Sequence, residues 1–337
     1  MTALTSATTH ATTALHHYAG LHYSTAFLKV HYPVPFMAGL LEHDPGMYPK
    51  GVLLGEARRL GIPILPIDVN ASTEHYLVER TEAGQLGIRL ALTGIRGMSA
   101  AELTRLLAGA PYTSVEDVYL RARPARPSLM HLAAIGALDS VAGGAERGAV
   151  IAHVRQLTAT RRPLPAAQEI ALAVGPGTVI TPSAEPLSQT EQLAAELHIL
   201  GLTVSGHIMD PFTPMLQAIG VTPASELLSL PARSEVLVAG VRVATQTPPM
   251  KSGGRVVFIS LEDTTGISDC TFFDEAQQAS GPLLFGTRLL VVSGKTRRTG
   301  ARGISIEATR AWDLSVEFAR WAAAREVTTP DTPAISA

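Results

Sequence analysis

Val236-Leu237-Val238-Ala239-Gly240-Val241-Arg242-Val243 is a β-branched run of period two, the signature of a strand with one face buried. Working outward, Arg255-Val256-Val257-Phe258-Ile259-Ser260-Leu261 reads as a second strand, closed by the turn cluster Glu262-Asp263-Thr264-Thr265-Gly266. A third strand, Ile267 to Phe273, precedes a short polar helix, Asp274 to Ser280. Two more strands follow, Thr287 to Lys295 and Gly303 to Thr309, joined by the basic tip Arg297-Arg298-Thr299-Gly300-Ala301-Arg302. Five short strands with one small helix between the third and fourth is the strand order of an OB-fold β-barrel.

OB-folds take oligonucleotides on strands two and three and on the loops joining strands one to two and four to five. Both loops are basic here. The first, Thr247 to Gly254, carries Lys251 and leads into Arg255; the other carries Arg297, Arg298 and Arg302, with Lys295 just before it. Cations beside glycines let a backbone approach phosphate while displacing counterions, so these are candidate DNA contacts; solvated hairpin tips are the competing reading. Phe258 and Phe273 are either stacking surfaces or core aromatics.

The length of 337 residues allows two or three domains, and 46% hydrophobic content is enough to fill them. No apolar run reaches a membrane span, and the Thr/Ala-rich start has neither the basic nor the apolar region of a secretory signal. The single cysteine, Cys270, excludes an internal disulfide and a cysteine-based zinc site; a cytosolic compartment is expected. Net charge is −2, yet between Arg233 and Arg310 ten Lys/Arg face seven Asp/Glu, a local surplus of three.

Ahead of the barrel, residues 14–60 read as helices broken by prolines: Ala14 to Val30, Pro35 to Glu42 and Gly51 to Leu60. The histidines at 10, 16, 17, 22 and 31 have no acidic or cysteine partners at ligand spacing, so no metal is expected. Tyr23-Ser24-Thr25-Ala26-Phe27-Leu28-Lys29-Val30-His31-Tyr32-Pro33 and Phe36-Met37-Ala38-Gly39-Leu40-Leu41, then Ala57-Arg58-Arg59-Leu60-Gly61-Ile62 and Leu65-Pro66-Ile67-Asp68-Val69-Asn70-Ala71-Ser72, follow in order. This order resembles the end of the fingers region in bacterial C-family DNA polymerases, the DNA polymerase III alpha subunits and their error-prone branch. The resemblance runs from about residue 14 to 314. The chain is similar to their C-terminal portion, without the palm.

Ile88 to Leu92 reads as an extended lead-in to the tight turn Gly94-Ile95-Arg96-Gly97-Met98-Ser99 and the helix Ala100 to Leu107. That is the shape of a helix-hairpin-helix, whose bent helix start offers backbone N–H groups to a DNA phosphate. Gly94, Arg96, Gly97 and Ser99 are therefore candidate contacts. Ser99 stands where the family more often has glycine; it is a good N-cap, at the expense of close backbone approach. Thr113 or Ser114 caps the next helix, with Asp117 in its first turn. Arg121, Arg123 and Arg126 read as a basic linker among prolines, available to duplex phosphates or solvated. Ser128 begins the helix Leu129 to Ile135, where the family carries the second half of a tandem helix-hairpin-helix.

Arg147 to Arg161 is a further helix, residues 162–190 with five prolines a linker, Glu191 to Leu200 a helix stopped by Gly201, and Val221 to Leu230 a small helix. His207 has no nucleophile or orienting carboxylate at a recognisable spacing and reads as structural. Ser315 to Arg325 is a helix with Phe318 and Trp321 for docking, and Val327 to Ala337 a disordered tail. The expected organisation is α+β and multi-domain: residues 1–85 a helical fingers-like segment, 86–160 a tandem helix-hairpin-helix domain, 161–232 a proline-rich linker with connecting helices, 233–314 the OB-fold, and 315–337 helix and tail. Ending soon after the barrel resembles the shorter error-prone branch.

Two-metal nucleotidyl transfer needs closely placed carboxylates, which in this family lie in a palm preceding the fingers. No Asp-x-Asp occurs in the chain, and the acidic pairs Glu116-Asp117 and Glu262-Asp263 sit in a cap and a turn. No catalytic residue and no cofactor are therefore expected in this chain, Mg²⁺ entering only with a palm domain. The resemblance implies a module gripping primer-template and single-stranded DNA in replication or repair synthesis. The alternatives are a separately encoded half that completes a DNA-directed DNA polymerase with a palm-bearing polypeptide, and a non-functional remnant.

Overall fold

Pro33 ends one helix and starts another. Residues 23–31 are helical (α1), Tyr32 leaves helical geometry, and α2 (Pro33–His43) begins on the proline, where a missing N–H breaks no intrahelical bond. The computed structural model describes residues 23–44, 46, 48–159, 180, 186–249, 255–298, 300 and 303–328, the side chains of 326–328 excepted. The chain divides into two units, Met1–Ser205 and Gly206–Ala337.

In the first unit α2 buries Val34, Met37, Ala38 and Leu41, one face at helical spacing. After α3 (Lys50–Arg59) comes a small sheet of order β1-β3-β2. β1 (Ile64–Leu65) pairs parallel with β3 (Leu86–Arg89), and β2 (Leu77–Arg80) antiparallel with it. The sequence shows only an extended lead-in here, because strands this short carry no readable period. Helices α4 (Ala100–Gly109), α5 (Val115–Ala122), α6 (Arg126–Ala134), α7 (Arg147–Ala159) and α8 (Gln189–Leu200) complete the unit. Leu54, Ile88, Leu92, Leu106, Val118, Leu132, Val150 and Ile199 share a core.

Two expectations need correction. Arg121, Arg123 and Arg126 do not form a linker: Arg121 lies in α5, Arg126 opens α6, and only Arg123 stands between them. Nor does Ser128 begin α6. Pro127 occupies the first turn, where its fixed φ suits a helix start, and Ser128 is buried inside. Of residues 162–190, expected to be linker, 162–179 and 181–185 lie outside the described residues, as does the tail from 329. The last two already belong to α8, whose Ser188 and Glu191 form a reciprocal cap.

In the second unit α9 (Thr213–Ala218) comes first, and the helix expected over Val221–Leu230 is reduced to the single turn α10 (Ala224–Leu227), which starts only after its cap Pro223. The barrel strands are β4 (Glu235–Gln246), β5 (Val257–Glu262), β6 (Ile267–Phe272), β7 (Leu289–Arg298) and β8 (Ile304–Asp313), closed in the order β4-β5-β6-β8-β7. Between β6 and β7 stand two helices rather than one, α11 (Asp274–Ser280) and α12 (Leu283–Gly286). β5 starts later than expected, because Arg255 makes only an isolated bridge with Pro249. Val238, Ile259, Leu261, Cys270, Phe272, Leu290, Val292 and Ile306 fill the barrel. Outside it, Met209, Met215 and Leu314 form a second cluster with Phe212, Phe318 and Trp321. There α13 (Leu314–Thr328) docks through its aromatics: Phe318 meets Phe212 edge-on at 5.0 Å and Trp321 at 5.8 Å.

β4 pairs with β7 up to Val241 and with β5 from Val241 onward. Gly240 stands at this crossover. A Cβ there would lie 2.7 Å from the Glu262 carbonyl oxygen, so the strands approach as closely as they do because no side chain intervenes. Gly240→Ala is expected to lower the unfolding free energy of this unit by about 1–3 kcal/mol. Urea titration followed by tryptophan fluorescence measures it, since both tryptophans, Trp312 and Trp321, lie in this unit.

Candidate nucleic-acid interface

The first hairpin is built by a short 3₁₀ turn, Leu92–Gly94, buried Ile95, and a tight bend at Arg96-Gly97. Gly97 has φ +81°, a conformation that costs an L side chain about 1 kcal/mol or more. Ser99 then caps α4: its Oγ accepts from the Glu102 N–H, while the Glu102 carboxylate accepts from the Ser99 N–H. With those donors satisfied, the first-turn N–H groups of Ala100 and Ala101 have no partner within the helix. Gly94, Gly97, Ser99, Ala100 and Ala101 are all exposed. Serine at position 99 has thus kept the helix start. The corresponding second turn differs: Gly136, Ala137 and Leu138 are buried, and the Ala137 carbonyl accepts from the Val69 N–H at 3.0 Å.

Glu102, absent from the sequence candidates, joins the two halves. One carboxylate oxygen accepts from Ser99 N–H at 2.9 Å and Ser99 Oγ at 2.7 Å; the other accepts from Ala125 N–H at 2.7 Å and Ser128 Oγ at 3.0 Å. Burial alone would raise its pKa, but the hydrogen bonds from Ser99, Ala125 and Ser128 outweigh it and hold the group at about 2. A carboxylate therefore already occupies part of the positive end of α4.

Three arginines of this unit, Arg96, Arg105 and Arg121, serve helix ends. Arg96 donates to the His198 carbonyl at 3.1 Å, in the last turn of α8. Arg121 ion-pairs with Asp117 at 2.9 Å, donates to the Pro111 and Gly109 carbonyls, and lies 5.1 Å over the Tyr112 ring. Arg105, absent from the sequence candidates, donates to the Ala122 and Arg123 carbonyls at the end of α5. Guanidinium groups on last-turn carbonyls satisfy orphan acceptors and oppose the helix dipole. Arg123 is half-buried with a left-handed backbone, and Arg126 is exposed at the start of α6. The sequence candidates are thereby distributed over several helix ends; only those of the Gly94–Ser99 bend are brought together.

In the second unit an open groove of about 730 Å³ runs across the outer face of β5 and β6. Strand alternation places Phe258 and Ser260 of β5 and Ile267, Asp269 and Thr271 of β6 on this face, and all five line the groove with Arg297. Phe258 is 40% exposed, whereas Phe272 fills the core and Phe273 is half-buried at the start of α11. Ala224, Leu227 and Leu228 form one wall. Hydrogen bonds hold that wall, among them one from the Ser225 N–H to Thr265 Oγ1 at 3.1 Å. Asp263 in the β5–β6 turn accepts from the Ala224 N–H at 2.8 Å, and Arg298 donates to the Leu228 and Leu230 carbonyls at 2.6 and 3.0 Å.

Arg297 and Arg255 are exposed, and Lys295 forms a 3.2 Å ion pair with Glu235, both largely solvated, a contact of little energetic weight. Lys251 and Arg302 lie outside the described residues. Ser260, Asp269 and the Ala224–Leu228 wall were missed; strand alternation about Phe258 was the signal for the first two. Burial, then the Asp269 charge, pushes the Cys270 thiol up, so it is protonated and inert at neutral pH. The His207 ring accepts from the Met209 N–H, and Asp210 accepts from the His207 N–H, an arrangement that shapes a turn. Among the described residues no group of three or more His, Cys, Asp or Glu could hold a metal ion, and no helix is long and apolar enough to cross a membrane.

Comparison with known proteins gives two domain families. Residues 61–149 match the helix-hairpin-helix motif, and residues 236–314 match the OB-fold nucleic acid binding domain. An error-prone DNA polymerase of Symbiobacterium thermophilum is 31% identical over 88% of this chain and 31% of its own length. One from Anaeromyxobacter dehalogenans is 30% identical over 84% and 25%, and one from Corynebacterium efficiens 34% identical over 74% and 22%. The chain thus spans less than a third of the length of these curated relatives. Over most of its length the chain is homologous to the C-terminal portion of error-prone DNA polymerases, with a helix-hairpin-helix region followed by an OB-fold nucleic-acid-binding domain.

Proposed function

We propose that this chain is the DNA-holding part of an error-prone polymerase acting in replication or repair synthesis. The exposed bend at Gly97–Ala101 takes duplex phosphates of the primer-template, and the β5–β6 groove takes the single strand. Phosphodiester formation is assigned to a palm with its Mg²⁺, as the lack of any Asp-x-Asp in these 337 residues supports. The observation that carries the reading is the open groove on the strands OB-folds use, with an aromatic ring facing out of it.

The test is fluorescence anisotropy with single-stranded and primed oligonucleotides over a range of salt concentrations. Affinity should fall with salt, each phosphate-bound cation contributing about 0.7 to the log–log slope for a single strand. Arg297→Ala should reduce that slope by about one such contact. Arg298→Ala should leave the slope in place, because its guanidinium is engaged on the Leu228 and Leu230 carbonyls. No binding at low salt overturns the proposal. Nucleotide incorporation by the purified chain with Mg²⁺ alone overturns the assignment of chemistry to a palm.

A further inference from the structure

A carboxylate on the floor of a groove that holds a polyanion needs a reason. Asp269 is exposed there, directly across the ladder from Ser260, whose hydroxyl lies 2.6 Å from one Asp269 carboxylate oxygen and is placed to donate to it. That bond fixes the carboxylate's direction and leaves its other oxygen, and the second lone pair of the bonded one, open to accept. The neighbouring pair on the same face is Phe258 with Thr271, about 6.8 Å along the strand, a distance that two unstacked neighbouring nucleotides span. A phosphate over Asp269 would be repelled. A strand in this groove is therefore turned with its phosphates toward the rim, where Arg297 is exposed, and its bases toward the floor.

A carboxylate only accepts hydrogen bonds. The Watson–Crick edge of guanine presents two adjacent donors, N1–H and the 2-amino group, matched to two carboxylate oxygens. Cytosine and adenine present one amino donor beside an acceptor nitrogen. Thymine presents one N–H between two carbonyl oxygens, which a carboxylate repels. We infer that Asp269, oriented by Ser260, makes the groove select guanine at the position next to the base stacked on Phe258. This rests on the proposed single-strand binding and adds base specificity to it.

The full chain is titrated with three labelled oligomers: an oligothymidylate, the same oligomer with one central guanine, and the same with hypoxanthine there, which keeps N1–H and lacks the 2-amino group. The guanine oligomer is expected to bind roughly tenfold tighter than oligothymidylate, with hypoxanthine between them. Asp269→Asn should abolish the ranking while binding oligothymidylate at least as tightly, with its tryptophan-monitored unfolding midpoint unchanged. Equal binding of the three oligomers by the unsubstituted chain overturns the inference, as does a uniform tightening of all three by Asp269→Asn with the ranking retained. Binding of none of them overturns the proposed function itself, a separate result from loss of ranking.

Discussion

Glu102→Gln is expected to lower the unfolding free energy of the first unit by about 3 kcal/mol at neutral pH. Glutamine keeps the volume, but its amide nitrogen must replace one carboxylate oxygen. Either the Ser99 pair or Ala125 N–H then faces a donor instead of an acceptor, and a part-buried donor pressed against another donor is costly. Glu102 is 9% exposed, so little solvent screening reduces the loss. The pH dependence has a definite sign. The folded-state pKa of about 2 lies below the ordinary 4.5, so the stabilisation is complete above pH 4.5 and disappears as pH falls toward 2. Urea midpoints of the two proteins, followed by far-UV ellipticity, should therefore differ by a constant amount near neutrality and converge in acid. A difference that persists unchanged at pH 2 would mean that shape, not charge, sets the effect.

The same residue shows where sequence reading stops. The helix start was legible from Ser99 as an N-cap; the three-residue spacing to Glu102, that of a reciprocal cap, carried the further signal. That the second carboxylate oxygen reaches Ala125 and Ser128, 23 and 26 residues on, depends on how α4 and α6 pack, which no local pattern contains. The arginines follow the same division. Charge and position marked Arg96, Arg121 and Arg298 as phosphate ligands, yet each lies within reach of helix-end or wall carbonyls that only the folded chain brings near. The barrel was legible because each of its strands is bounded by its own turn chemistry. Asp263 shows this: it accepts from the N–H groups of Thr265 and Gly266 and closes the β5–β6 hairpin within a few residues. The small sheet of the first unit was hidden, since β1 has two residues and pairs with a strand more than twenty residues away.

Phe258→Ala is expected to weaken single-strand binding by about tenfold or more while leaving the salt slope unchanged. Base–aromatic stacking is worth about 1–3 kcal/mol per base and releases no counterions, so the lines of log affinity against log salt should run parallel for the two proteins. The barrel should keep its stability. Phe258 faces away from the core residues Val257 and Ile259 on either side of it, and truncating it creates no internal cavity. Phe258→Trp retains a π-face and should bind at least as tightly as the unsubstituted chain. The contrast with Arg297→Ala separates the two contributions: loss of the ring lowers affinity at every salt concentration by one factor, whereas loss of the cation matters most at low salt. A Phe258→Ala protein that binds single strands unchanged would show that the groove engages the backbone alone, and would remove the aromatic anchor on which base reading at Asp269 depends.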